Sequence, residues 1–456
     1  MTNENTSLFS DAPVGKAVLS LAVPTVISQL ITVVYNMADT FFIGQLNDPL
    51  QVAAATLAMP CFMFLTSFAN LFGLGGSSLI SRCLGSGDRV KARHAASFCI
   101  WTGIAAAFLY GVCILLFEPV LFPVLGAKEE TWEYLRQYVF WTIGIGAVPT
   151  VMNAEFAHLI RSEGYAKSAG FGVALGGVLN IVLDPVFIFV FQLNIVGAAI
   201  ATMLSNLFAM LYFIGFLMHI RKNTVITLNL KMYSVRQRIP LEVITVGLPG
   251  FVMTMMSTIS NTALNHIVAG YSNTAVAGMG IAKKIDLLAY AISQGMSQGT
   301  LPLIGYNFSA GNVKRMKQSI KTAFFYSVFV AACGTVLLYF FAAPIAGAFI
   351  SDVETVHYGQ NFLKIICLAC PTTAVNFMVI TVFQAIGKKV QPLFLSLLRK
   401  GSLDIIFMML LNKAMGVSGI AWATPFADWV AFVISLVLIV PYIRKLNAGN
   451  EERNSI

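Results

Sequence analysis

Four polar residues in the first long apolar stretch of this chain share one helical face: Gln29, Thr32, Asn36 and Asp39, spaced three, four and three apart. A single polar stripe on an apolar helix turns toward protein or a water-filled cavity, because lipid does not accept it. The acid is its informative member. A carboxylate at the centre of a membrane helix costs roughly 2.5–3.5 kcal/mol on insertion scales, and intramembrane acids concentrate on ion pathways. A helix–helix hydrogen-bond seam also uses Asn and Thr, but an acid is an awkward choice for one. Further along, "GGVLNIVLDPVF" stacks Asn180 and Asp184 one turn apart, and Pro185 cannot donate to the carbonyl of Ile181. Carboxylate, amide and freed carbonyl are hard oxygen ligands, suited to sodium or to a shared proton. Without a ligand the same residues make an Asp-Pro helix interruption. Thr202, Ser205 and Asn206 again share a face.

Other residues point to a substrate rather than an ion. Glu155 lies beside Asn153, and an anionic side chain in an apolar cavity favours cationic ligands. "FVMTMMSTIS" at 251–260 holds Met253 and Met256, and "AYAISQGMSQGT" at 289–300 holds Gln294. Methionine surfaces adapt to many shapes, although such runs are also ordinary membrane core. Asp286, with Lys283 and Lys284 nearby, is a further polar candidate, and Tyr35 and Asn36 flank the Asp39 face. No GxxxxGK[ST] or HExxH stretch is present and the five histidines do not cluster, so nothing in the sequence points to an enzyme or a cofactor. Cys367 and Cys370 form a CxxC inside an apolar run, where packing is the simpler reading than redox or metal chemistry.

These residues need elements to carry them, and composition says which. The chain is 57% hydrophobic and 11% charged, with a mean hydropathy of +0.78, against about 25% charged in soluble domains. Helices of about 20 apolar residues span a bilayer, and twelve such stretches are predicted: 17–43, 50–79, 95–123, 132–158, 168–191, 195–219, 241–268, 273–304, 319–350, 358–385, 391–412 and 417–442. With both termini inside, 21 of the 29 Lys and Arg fall in inner segments. The net charge of +9 is thus a topology signal, and nucleic acid is not required to explain it. The N-terminus lacks a basic segment before a short apolar core, so a cleavable signal peptide is not expected.

The chain also repeats itself. "LGSGDRVKAR" at 84–93 returns as "FSAGNVKRMK" at 308–317, "AVPTVMN" at 147–153 as "ACPTTAV" at 369–375, and "NIVGAAIATMLSN" at 194–206 as "GVSGIAWATPFAD" at 416–428. Six helices are duplicated in the same orientation. The predicted organisation is an N-terminal segment 1–16, a six-helix lobe 17–220, a basic cytoplasmic linker 221–240, a second lobe 241–445 and a tail 446–456. Parallel six-helix repeats are one plan of secondary transporters. The halves differ in chemistry: the repeat places Leu264 or Ala263 opposite Asp39, whereas Thr424 aligns with Thr202 and Asp428 with Asn206.

Through "VPTVISQLITVVYNMADTFFIGQL" at 23–46, "LGSGDRVKAR", "LNIVLDP" at 179–185 and "VGAAIAT" at 196–202, the chain resembles the multidrug and toxic compound extrusion (MATE) family over nearly its whole length. The resemblance implies an all-α integral membrane protein, with twelve helices in two lobes around a central cavity. It further implies an antiporter exporting organic cations against inward H⁺ or Na⁺ by alternating access. In relatives with a first-lobe cation site, the acid of the first helix corresponds to Asp39, the pair on the fifth to Asn180 and Asp184, and the Thr of the sixth to Thr202. Glu155 resembles an acid of the fourth helix in some bacterial drug exporters. A branch that uses acids on helices seven and ten is matched poorly, since Glu242 sits at the edge of helix seven and helix ten has none. The resemblance also implies a bacterial plasma membrane and a functional monomer. The rival within the broader superfamily is a flippase for a lipid-linked anionic headgroup, with Lys283, Lys284, Arg399 and Lys400 as its basic cavity. A rival of another class is a non-transporting membrane scaffold or receptor.

Overall fold

Where apolar residues run on without a stop, the chain is helical; where Gly, Asp, Asn or Pro interrupts them, it turns. A computed structural model describes residues 3–454, with side chains from 6 to 445; side chains of the expected tail 446–456 therefore lie outside the described residues. In order, the helices are α1 Asn3–Ser10, α2 Val14–Gly44, α3 Pro49–Gly85, α4 Arg89–Leu116, α5 Glu118–Leu125, α6 Glu129–Val139, α7 Ala147–Ser162, α8 Ala166–Pro185, α9 Asn194–His219, α10 Ile239–Ala269, α11 Asn273–Ser309, α12 Val313–Phe340, α13 Ala342–Phe349, α14 Val353–Ile366, α15 Cys370–Ala385, α16 Val390–Ser396, α17 Asp404–Met415 and α18 Val417–Asn454. No strand occurs among the described residues.

Nine helical stretches are long and apolar enough to cross a membrane among the described residues. A tenth is formed by the pair Glu129–Ile145 and Ala147–Ser162, bent by 49°. The bend has a cause in sequence: Gly146 sits at the break, and Pro149 cannot donate to the carbonyl of Ile145. Two expected spans are helical but fall short, one by polar composition and one because it is divided into shorter helical pieces. α11 carries Lys283, Lys284 and Asp286, and the 391–412 stretch carries Arg399, Lys400 and Asp404 within wider turns at Leu397–Leu403. With these two, the helices account for all twelve predicted stretches.

The repeat is a repeat of caps as much as of apolar runs. Gly87 and Gly311 take left-handed backbone angles (φ +80° and +73°) that suit glycine. The next residues, Asp88 and Asn312, then accept from the N–H groups of Lys91 (2.9 Å) and Arg315 (3.0 Å) to start α4 and α12. Asp48 and Ser272 do the same for α3 and α11.

The chain divides into two compact units, one of Ile27–Phe251 with the segment to Ser10, the other of Asp11–Val26 with the chain from Val252. α2 and α10 thus each contribute to both, changing unit two or three residues after Pro24 and Pro249. In the first unit α3 packs on α4 and α7, and α8 on α9. Gly75 and Gly247 allow α3 and α10 to touch by backbone: a Cβ at Gly247 would meet the carbonyl of Leu71. In the second unit α11 packs on α14 and α15, and α17 on α18. There a Cβ at Gly299 would come within 2.7 Å of Ala22 Cα on α2. Cys367 and Cys370 are free thiols buried in a small core with Ala331 and Ala374, as packing residues would be.

Candidate functional site

The Asp39 face of α2 borders a cavity of about 120 Å³ in the first unit. Tyr35, Asn36, Asp39, Thr40, Tyr138 and Thr202 supply its polar wall, and Met59, Phe62 and Met63 of α3 much of its apolar wall. Behind it a hydrogen-bonded chain crosses three helices. Asn180 Nδ2 donates to Asp184 Oδ1 (3.1 Å) and to Thr202 Oγ1 (3.3 Å), Asn206 Nδ2 donates to the Thr202 carbonyl (2.9 Å), and Asn153 Nδ2 donates to Asn206 Oδ1 (2.9 Å). Asp184 and Asn180 are fully buried.

Four buried oxygens here have no hydrogen-bond donor among the described residues: Asp39 Oδ1, Asn180 Oδ1, Asp184 Oδ2 and, at the far end of the chain, Asn153 Oδ1. Buried polar atoms are normally satisfied, and an unmet one calls for a missing proton, water or ion. The Asn180 amide is spent on Asp184 and Thr202, so its oxygen is turned away from them and left to accept. The donor set is all oxygen, with no imidazole or thiolate, which fits a proton or a small hard cation. Pro185 has the expected local consequence: α8 gives way after it to a wider turn at Val186–Val190.

The expected substrate residues scatter more widely. Tyr35 and Asn36 line the cavity, and Asn153 is linked to it through Asn206 and then Thr202. Glu155 lies instead against α4, where a Cβ added at Gly103 would run into Glu155 Oε2, and neither of its oxygens has a partner. Met253 is buried, Met256 packs beside Gly401, and Gln294 is partly buried and partnered. Asp286 belongs to a second, water-sized cavity in the second unit. Tyr138, Met59, Phe62 and Met63 were not anticipated; apolar and aromatic residues of a spanning helix carry no signal that separates a cavity wall from a lipid face.

That second cavity sits in a charge cluster. Arg399 pairs with Asp428 through Nε and through Nη2 (3.3 Å), Thr373 donates to Asp428 Oδ2 (2.5 Å), and the guanidinium lies over the Phe377 ring at 4.8 Å. Lys400 faces Asp404 at 3.6 Å and Lys283 faces Asp286 at 3.7 Å. Ser260 donates to Asp404 (2.6 Å), and Lys283 to Thr424 (3.2 Å). Every cation in the cluster has an acid. Glu242, at the start of α10, is likewise engaged, by Lys91 (2.8 Å) and Arg82 (3.4 Å).

Comparison with known proteins decides the family. The MatE family model matches twice, over residues 24–186 and 249–410. The chain belongs to the MatE family. The double match reproduces the internal repeat. Among its relatives are the multidrug export protein MepA of Staphylococcus saprophyticus subsp. saprophyticus, 30% identical over 96% of both chains, and MepA of Staphylococcus aureus, 29% identical over 99% of both. A solved outward-facing multidrug resistance MATE family transporter of the MOP superfamily superposes with a TM-score of 0.89 at 25% identity. The match covers 98% of this chain and 100% of that one. As a MatE protein the chain is an all-α, multi-pass membrane transporter and not an enzyme.

Proposed function

We propose that this MatE protein is a secondary multidrug antiporter, exporting organic cations in exchange for inward H⁺ or Na⁺ by alternating access. The observation that carries the reading is the set of unmet buried oxygens from Asp39, which lines the cavity with Thr202, and from Asn180 and Asp184, which are bonded behind Thr202. The coupling ion is held by Asp39, Asn180, Asp184 and Thr202, as a shared proton or as Na⁺ on those oxygens. Two like charges in one buried site repel, so an entering cation relieves that repulsion and a leaving one restores it. Cation loading and drug loading then favour opposite states. Tyr35 and Asn36 serve the drug at the same cavity, and Asn153 supports the site through Asn206. The drug-export assignment is supported by the relatives named MepA. Residues 17–220 and 241–445 are the duplicated lobes and 221–240 their linker. The protein works as a monomer in a bacterial inner membrane with both termini cytoplasmic.

The headgroup-flippase reading needs free basic charge in the cavity; Arg399, Lys400 and Lys283 are each matched by an acid, and Lys284 is exposed and does not line that cavity. The test uses protein in liposomes containing a fluorescent organic cation, with sodium and proton gradients imposed separately on wild type and Asp39→Asn. The expected result is flux under one gradient, lost in the variant. Full gradient-driven flux in Asp39→Asn would overturn the mechanism.

A further inference from the structure

The linker between the repeats is more than a tether. Residues 221–238, "RKNTVITLNLKMYSVRQR", contain five cations and no acid. They form a strap laid along α4 in the first unit. Its start is fixed by Glu163, which accepts from the Thr224 hydroxyl and from the Val225 N–H (2.7 Å). Three side chains on one face of α4 then hold successive strap carbonyls. Trp101 Nε1 donates to Leu228 (3.2 Å), Ser97 Oγ to Asn229 (3.1 Å), and His94 Nδ1 to Met232 (2.6 Å). The Tyr233 ring rests near Phe98, 5.8 Å between centroids.

The level of this strap is readable from α4 itself. The helix is basic and polar from Arg89 to Ser97 and carries no charge from Phe98 to Leu116. It therefore enters hydrocarbon near Ser97. The three attachment points straddle that level, and at 1.5 Å per residue His94 and Trp101 stand about 10 Å apart along the axis. A headgroup layer is roughly 5–8 Å thick, so the strap occupies the interface.

What it presents there is mixed. Leu230 and Val235 are 60% and 61% exposed and Tyr233 is 40% exposed, in a segment otherwise well bonded. Between and beside them Arg221, Lys222, Lys231, Arg236 and Arg238 are all exposed, and none is in an ion pair among the described residues. Apolar side chains exposed at an interface enter the acyl boundary, and cations beside them meet phosphate. Cytoplasmic salt bridges elsewhere in the unit, such as Lys91 with Glu242, show that cations here take acids when acids are in reach.

We propose that the strap is a binding site for anionic phospholipid headgroups. Lys231, Arg236 and Arg238 bind the phosphodiester and glycerol-phosphate oxygens, while Leu230 and Val235 insert beside the acyl chains. The occupant is a lipid rather than a soluble anion because the apolar and basic side chains alternate on one segment at the depth of the headgroups.

The test compares phosphatidylglycerol with phosphatidylcholine on the full-length protein. Bound lipid is counted by native mass spectrometry and thermal unfolding is followed in nanodiscs of each composition. Wild type is expected to retain phosphatidylglycerol preferentially and to unfold at higher temperature in it. Each basic residue near an anionic surface is worth about fivefold in binding, so Lys231→Gln/Arg236→Gln/Arg238→Gln is expected to lose on the order of a hundredfold. Leu230→Ser/Val235→Ser should weaken retention of phosphatidylglycerol with the cations intact, and Lys388→Gln/Lys389→Gln, outside the strap, should leave the preference unchanged. Unfolding in phosphatidylcholine reports whether each variant is folded. No lipid preference in wild type would overturn the proposal without any variant. Equal loss in the Lys388/Lys389 control would overturn it too, by making the effect one of general surface charge.

Discussion

Replacing Asp428 by Asn keeps the shape of a fully buried side chain and removes the charge that neutralises Arg399. Both side chains are 2% exposed, so water cannot take over. Breaking one side of such a pair costs about 3–5 kcal/mol, because the remaining charge stays buried without compensation. Two contacts soften the loss here. Thr373 Oγ1 remains an acceptor for Arg399 Nη2 (3.3 Å), and the Phe377 ring lies 4.8 Å below the guanidinium; a desolvated cation–π contact is worth up to about 2 kcal/mol. The expected cost is therefore at the lower end, about 3 kcal/mol. The double replacement Arg399→Met/Asp428→Leu removes both charges at similar volume and should recover most of it, as apolar replacement of a buried pair is often neutral. Denaturant unfolding in detergent micelles measures all three proteins, with the single variant placed well below the other two. If Asp428→Asn lost less than about 1 kcal/mol, or if the double variant were as unstable as the single, Arg399 would not depend on Asp428 and the cluster would be wrongly described.

Gly103→Ala drives a methyl group toward Glu155 Oε2 and Met152, both held between α4 and α7. Overpacking of this kind costs about 1–3 kcal/mol, whereas Glu155→Gln should cost less than the glycine replacement, since neither carboxylate oxygen has a partner to lose; denaturant titration orders the two. At the start of α14 the Thr355 hydroxyl and then its N–H hold Asp352 below the usual carboxylate value. A lowered pKa means stability that is present above the unfolded value of about 3.9 and lost as pH falls through the folded one. The thermal midpoints of wild type and Asp352→Ala should therefore differ at about pH 6 and converge only below about pH 3.9, as Asp352 is protonated. A gap that persists through acid would mean that the cap does not depend on the charge of Asp352.

Most of the helix plan was legible because membrane helices announce themselves by length and apolarity, and because turns in this chain are built from residues with few alternatives. The recurring Gly-Asp and Gly-Asn pairs at 87–88 and 311–312 are the clearest case: a left-handed residue followed by a cap leaves little choice of type. The pairing of Asn180 with Asp184 could be read because it follows from helical spacing, whereas the bond from Asn180 to Thr202 crosses to another helix. Glu155 was harder. Two residues from Asn153 on α7, it turns to the other side of that helix, and which helix covers it depends on Gly103, a residue far away in sequence. Arg399 was visible as a charge in an apolar stretch, yet its partner Asp428 lies 29 residues on. Pairing across helices has no period to betray it.

The two units also show why duplicated helices need not give duplicated chemistry. Thr202 and Asn206 on α9 correspond to Thr424 and Asp428 on α18, and each threonine belongs to its unit's polar cluster. The partners differ. In the first unit the carboxylates Asp39 and Asp184 have no cation within the site, and buried oxygens are left over. In the second, the acids Asp428, Asp404 and Asp286 face Arg399, Lys400 and Lys283, so the charges cancel side chain by side chain. A buried excess of negative charge can be relieved by a mobile cation; a buried balance gains nothing from one. The same scaffold position therefore leaves unmet buried oxygens in one unit, as the proposed exchange requires, and closed ion pairs in the other, and the difference lies in a few residues on the flanking helices.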